Sequence, residues 1–360
     1  MKKKNIVGPC GGVKAIQIHP SRFCNLSCLH CYSSSSPKEH DSLDVALISR
    51  MLSDGADEGY TYVSISGGEP LLYPPLEQLL KHAKETGFTT AITTNGILLK
   101  KKQIEKLKGV TDLIAISLDG IPESHNRIRN SETAFSKMFA NLENLRQSKI
   151  PFGFIFTLTQ YNLHELEWVI EFALKQGAGL LQIHPLESAG FAIDHLSDEH
   201  PDRKESAYAY LYSNTMTQKL EGKLAIQIDY ANRTVVQENP ELVYAVTHKP
   251  NQSTLLSDCI GELTIEPDGT IVPIQYGFNR KYALGNLHNT SFKQQSKEWK
   301  QIKMDDFLQL CNQVYLDIID DSKAFIFNWN EIITAASNRS NTMTIPLSPS
   351  KKNKKVLQNE

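Results

Sequence analysis

Cys24, Cys28 and Cys31 stand within eight residues, in the run Arg-Phe-Cys-Asn-Leu-Ser-Cys-Leu-His-Cys-Tyr. The spacing is C-x3-C-x2-C, and no fourth cysteine follows nearby. An ordinary iron–sulfur cluster takes four thiolates. Three thiolates leave one iron of a cubane without a protein ligand, and an open iron can bind a small molecule. The triplet therefore points to chemistry at a metal rather than plain electron storage. Zinc is the competing reading, with His30 as a fourth tetrahedral ligand. His30 and Cys31 are adjacent, however, which hinders joint chelation, and the second, distant ligand pair of a common zinc site is missing.

Further candidate groups follow short β-branched runs. Gly67-Gly68-Glu69-Pro70 ends one such run. Its glycines let backbone approach a ligand closely, its exposed backbone groups can hydrogen-bond an amine, and Glu69 can hold the loop or counter a cation. The bland alternative is a tight turn. Thr94-Asn95-Gly96 has the same two readings. Ser117 and Asp119 flank Leu118, and strand alternation puts both on one side, where they could reach ribose hydroxyls. The alternative is that Asp119-Gly120 merely ends the strand.

These groups need elements to hold them. Strands are expected at residues 14–19, 62–66, 89–94, 113–118, 152–158 and 180–184. Helices are expected near 44–58, 76–85, 135–147 and 164–175; Leu76, Leu79, Leu80 and Ala83 show the helical spacing. Strand–helix alternation argues for a parallel sheet with helices outside. Six units suggest an α/β fold, a partial (β/α)6 TIM-like barrel that does not close. In such barrels the site lies at the C-terminal ends of the strands, so the cysteine loop, residues 67–70, Asn95, Asp119 and His184 should share one mouth. The pattern changes after residue 190. A helix near 206–220 and a hairpin over 262–273, around Pro267-Asp268-Gly269, form a small α+β C-terminal extension. The expected division is 1–215 for the barrel, 216–310 for the extension, and 311–360 for a helix and a disordered basic tail with Lys351, Lys352, Lys354 and Lys355.

The chain has 360 residues and a formal net charge of −2, which gives no electrostatic footprint for nucleic acid. No run of eighteen apolar residues suggests a membrane span, and the N-terminus lacks the apolar stretch of a signal peptide. Six cysteines in such a chain make no disulfide framework, so a reducing cytoplasm is the expected location.

The ordered set of motifs resembles the radical S-adenosylmethionine (radical SAM) enzymes over about residues 14–186. It comprises the cysteine triplet, Gly67-Gly68-Glu69-Pro70, Thr94-Asn95-Gly96 and Ser117-Leu118-Asp119-Gly120. The resemblance implies one [4Fe-4S] cluster on Cys24, Cys28 and Cys31, with the amine and carboxylate of S-adenosylmethionine on the open iron. It implies cofactor contacts from residues 67–70 and Asn95, from His30 and Tyr32 against adenine, and from Ser117 and Asp119 to carboxylate or ribose. Arg129 matches the arginine of the family's HDxxR segment and would pair with the carboxylate; Asn126 stands where that segment has its aspartate. Thr157 and Asn162 fall where the family keeps polar contacts. The implied reaction is reductive cleavage of S-adenosylmethionine, giving a 5′-deoxyadenosyl radical that abstracts hydrogen from a peptide or protein side chain, or from a cofactor precursor. The implied electron source is a reductant such as flavodoxin or ferredoxin. The rival readings are a non-catalytic peptide-binding protein with a structural cluster, and a structural zinc protein.

The segment from Cys259 to Pro273, with Leu284-Gly285-Asn286-Leu287, resembles the start of a SPASM or twitch domain. There the hairpin normally ends in Pro-Cys, but Pro273 is followed by Ile274. With only Cys259 and Cys311 available, a degenerate, cluster-free version is expected. Cys259 is read as a small buried apolar residue, and Cys10 as a loop cysteine. His184 and Glu187 could shuttle a proton, but the favoured reading of His184 is a hydrogen-bonded strand-end residue. His195 and His200 are read as solvated loop histidines.

Overall fold

The computed structural model describes residues 12–245, 250–251, 253–321 and 325–339. The strands are β1 (Ala15–Ile18), β2 (Tyr62–Ile65), β3 (Thr89–Thr94), β4 (Leu113–Ser117), β5 (Phe152–Leu158), β6 (Leu180–Pro185), β7 (Ala225–Ile228), β8 (Ala231–Asn232), β9 (Glu262–Ile265), β10 (Thr270–Pro273), β11 (Gly285–Asn286) and β12 (Ile326–Phe327). All but β8 and β12 belong to a 10-stranded sheet of order β11-β10-β9-β1-β2-β3-β4-β5-β6-β7; those two form a short ribbon. From β9 through β7 every neighbouring pair is parallel. The curved sheet is the expected partial barrel, but its parallel run goes past six strands. β7 extends it on one side and β9 on the other, pairing Glu262 with Ala15 and Ile265 with Ile18.

The strands alternate with period two, and the two faces do different work. Ile16, Ile18, Val63, Ile65, Ile92, Leu181 and Ile183 are fully buried in the main core. Gln17, Ser64, Thr93 and Gln182, their alternates, line a cavity of about 1030 Å³. Barrel interiors of this class are usually filled by side chains in layers; here polar and small inward residues leave room.

The helices that cover the sheet begin where the sequence puts a cap. Asp44 accepts hydrogen bonds from the Ala46 and Leu47 amides, starting Val45–Asp57. Asp202 and Glu205 form a capping box on Arg203–Lys219. Leu76–Glu85 buries Leu76, Leu79, Leu80 and Ala83, the stripe expected of it.

Two expected boundaries fall inside elements. A cut at 215 crosses helix Arg203–Lys219, and one at 310 crosses helix Met304–Asp320. The later segment is not appended at a linker: β9 shares a ladder with β1, with Ala15 N–H donating to Gly261 C=O and His19 N–H to Ile265 C=O. Cys10 and the basic tail lie outside the described residues.

Candidate active site

The cysteine loop leaves the C-terminal end of β1 and is pinned by the end of β2. Gly68 N–H donates to Ser21 C=O at 2.8 Å, and Glu69 N–H to Phe23 C=O at 2.9 Å. The approach requires glycine. A Cβ on Gly68 would lie 2.1 Å from the Phe23 oxygen; one on Gly67, whose φ is +107°, would lie 2.6 Å from the Ser21 oxygen. What these glycines closely approach is the backbone of the cysteine loop. From the other side, Phe191 N–H donates to Cys31 C=O at 2.9 Å, just after Gly190.

Each cysteine sulfur has a hydrogen-bond donor. Leu26 N–H faces Cys24 Sγ at 3.5 Å, Ser35 N–H faces Cys31 Sγ at 3.3 Å, and Arg129 Nη1 faces Cys28 Sγ at 3.8 Å. Burial pushes the Cys24 thiol up to about 12, and burial pushes Cys28 up to about 11 although Arg129 opposes it. Bare thiolates are thus disfavoured, and a cationic metal centre would supply the missing counter-charge. Among the described residues no three His, Cys, Asp or Glu side chains converge on one ion. His30 Nε2 lies 3.7 Å from Asp119 Oδ1 and is turned toward that carboxylate. The three sulfurs, each with an N–H donor, fit a cluster held by three thiolates.

Cys24, Cys28, Cys31, His30, Tyr32, Gly67, Gly68, Asn95, Ser117 and Arg129 all line the cavity. Glu69, Pro70 and Asp119 lie behind its wall. Glu69 is 3% exposed, and it ties two loops together. Its carboxylate accepts from Thr94 Oγ1 at 2.7 Å and from the Asn95 amide at 2.9 Å. Asp119 is fully buried and pairs with Arg129 Nε at 2.5 Å. Burial opposes its ionisation, yet Arg129, with His30 and His125, holds it well below the usual carboxylate range. Asp119 thus holds the Arg129 guanidinium, whose Nη1 faces Cys28. Asn126 caps helix Ala134–Ser148 region by accepting from the Phe135 amide. Asn162 donates to the Asp119 and Thr157 carbonyls, and so holds a loop.

Several residues at the cavity or packed beside it escaped the sequence reading. His19, fully buried, stacks edge-on to Tyr32 and lies 5.0 Å from the Tyr276 ring. Tyr276 arrives there through a sharp reversal. Gln275 N–H donates to Pro273 C=O at 2.8 Å around Ile274, whose φ is +66°. Such an i→i+2 turn is strained, more so at a β-branched residue. Its only sequence signal is the proline that ends β10. Asp229, on the His184 imidazole, was also missed, because the four-residue β7 before it has too short an alternation to stand out. Cys259 and Cys311 are buried in the main core.

Residues 18–173 match the family model described as the Radical SAM superfamily. The Fe-coproporphyrin III synthase of Methanosarcina barkeri is 26% identical over 331 residues, covering 89% of this chain and 77% of the relative. The PqqA peptide cyclase of Ruegeria pomeroyi is 27% identical over 258 residues, 69% of this chain and 64% of the relative. Among solved structures, anSMEcpe with bound AdoMet and Cp18Cys peptide superposes with a TM-score of 0.62 at 18% identity, covering 91% of this chain and 95% of that one. Streptococcus suis SuiB bound to S-adenosylmethionine gives 0.58 at 17%, with 73% and 60% covered, so this chain spans under two thirds of it. At such identities the two structures speak for the fold alone.

Proposed function

For this chain, which belongs to the radical SAM superfamily and is an enzyme of that kind, we propose that Cys24, Cys28 and Cys31 hold one [4Fe-4S] cluster and that S-adenosylmethionine binds beside it in the barrel cavity. When bound, a reduced cluster on Cys24, Cys28 and Cys31 would supply the electron for reductive C–S cleavage of S-adenosylmethionine, with methionine as leaving group, and so the means to take a hydrogen atom from the substrate. The observation that carries the reading is the cysteine wall itself: three sulfurs, each with an N–H donor, on one face of one cavity.

The chain's residues then have separable tasks. Gly67 and Gly68 seat the loop against β2. Glu69 fixes Asn95 at the cavity edge. Asp119 aims Arg129, whose positive charge suits the carboxylate of S-adenosylmethionine as well as Cys28. His30, Tyr32 and Ser117 offer the remaining wall to adenosine. Tyr276 and His19 shield that end from water.

The substrate is a peptide or protein side chain or a cofactor precursor, the classes on which the named relatives act, and a reductant such as flavodoxin or ferredoxin delivers the electron. The test is anaerobic reconstitution with iron and sulfide, then reduction with S-adenosylmethionine present. Near four irons per chain and 5′-deoxyadenosine as product are expected. Stoichiometric zinc, or intact S-adenosylmethionine with a full cluster, would refute it.

A further inference from the structure

A second set of groups lines the same cavity where the parallel run ends. His184 closes β6, Asp229 follows β7 and Glu262 opens β9. No described strand joins β7 to β9, so Asp229 and Glu262 line the seam of the open barrel. His184 Nδ1 is hydrogen-bonded to Asp229 Oδ2. Glu187 accepts a long contact from Gln275 Nε2, at 3.3 Å, and has the Asn328 side chain beside it. The Glu262 carboxylate has no hydrogen-bond or ion-pair partner among the described residues.

Asn328, 6% exposed, sets its side-chain amide against the Glu187 carboxylate. One buried amide oxygen here is also unsatisfied. Asn330 Oδ1, on the cavity wall, has no hydrogen-bond partner. Buried polar atoms without partners are rare in native folds and mark places where something else binds. The cavity wall offers no lysine among the described residues, and its arginine, Arg129, is already paired with Asp119.

We propose that this seam pocket, built from Glu187, Glu262 and the His184–Asp229 pair, binds a cationic group of the substrate, an ammonium or guanidinium such as a basic peptide side chain carries. The proposal deepens the reading above and rests on it only in taking this cavity as the substrate chamber. A cation gives the seam carboxylates their counter-charge and gives Asn330 Oδ1 a donor. A ligand rich in carboxylates would meet like charge instead, with no free cation on the wall to receive it.

The acid–base state of the pocket agrees. Burial, with Glu331 and Asp229 nearby, pushes Glu187 up to about 7, and burial with Asp229 pushes Glu262 up to about 8. Burial also raises Glu331, although His200 opposes it. Burial alone would lower His184, but Asp229 raises it. A lysine ammonium stays charged through this range. As pH rises, the carboxylates ionise and His184 loses its proton, and each change favours a bound cation.

The test is calorimetric titration of the reconstituted holoprotein with three probes: N-acetyl-lysine methylamide, its neutral norleucine analogue, and coproporphyrin III. The lysine probe should bind at least roughly ten-fold tighter than the norleucine one. Its affinity should rise as pH goes from about 6 to about 8. Glu187→Gln and Glu262→Gln, each checked for folding by circular dichroism, should each remove most of that preference. If either variant fails to fold, the wild-type pH series decides. Equal binding of the two amino-acid probes, stronger binding of coproporphyrin III, or a flat pH dependence overturns the proposal. Formation of 5′-deoxyadenosine by the same wild-type preparation is scored separately. Cleavage without lysine preference defeats the pocket alone, whereas lysine preference without cleavage defeats the enzymatic reading alone.

Discussion

Asp119 does its work at one remove from any ligand. It neutralises Arg129 in a site from which both are largely excluded from water, so Asp119→Asn leaves a buried guanidinium without its counter-charge. We expect a loss of about 3–5 kcal/mol in urea unfolding. Because its folded pKa is depressed, this stabilisation is fully present above the unfolded value near 3.8 and is lost as pH falls toward the folded one. The gap between wild type and Asp119→Asn should therefore shrink in acid; an unchanged gap at low pH would contradict the pairing. Glu262 behaves oppositely. Its folded pKa is raised to about 8, so its ionisation costs stability as pH climbs from the unfolded value. Glu262→Gln should be more stable than wild type at pH about 8, by on the order of 1 kcal/mol, and no more stable at about pH 5. Denaturant midpoints at the two pH values check this.

Elements set where such residues meet, and they were unevenly readable. Residues 76–85, 89–94 and 152–158 were located to the residue, the first by its helical apolar spacing and the other two as β-branched or aromatic runs. The cysteine spacing and the glycine pair were visible as local strings, and the structure brings them together through the β1–β2 ladder. β7 is only Ala-Ile-Gln-Ile, too short to separate from a helix end. Lys101–Leu107 and Pro122–Ile128, seven residues each, also went unread for want of two full turns. The pairing of β9 with β1 spans more than 200 residues of chain and has no local signature. Nor does the Ile274 reversal, which puts a β-branched residue where glycine is the usual choice. At this scale the sharpest test is steric. Gly68→Ala forces its methyl into the Phe23 carbonyl, and Gly190→Ala into the Cys31 carbonyl, 2.3 Å away. Both should fold with near-native circular dichroism yet take up much less iron on reconstitution. Iron content equal to wild type would show that the loop can yield.

The described residues form one large sheet and a short ribbon with helices against them, and among them no helix is long and apolar enough to cross a membrane. The chain's two sequence regions share one apolar core: Ile16 and Ile18 from the first belong to the same cluster as Leu263, Ile265, Ile271 and Trp299 from the second. A fragment ending at residue 215 would bare one edge of β1 and lose β7, leaving unpaired backbone at both ends of the parallel run. We expect that fragment to be recovered mainly as aggregate, and co-expression with residues 216–360 to restore solubility; a soluble, folded fragment on its own would argue against a shared core. β1 carries this coupling furthest. Its final residue, Ile18, stands six positions before Cys24 and is clamped between Ile65 and Ile265. The cysteine turn thus inherits its footing from β9, which follows it by more than 200 residues of chain. Grafting in a relative's late segment, however well matched to a new substrate, carries that relative's strand spacing with it and tilts the platform on which the sulfurs stand. Lineages that changed one are expected to have changed the other in step.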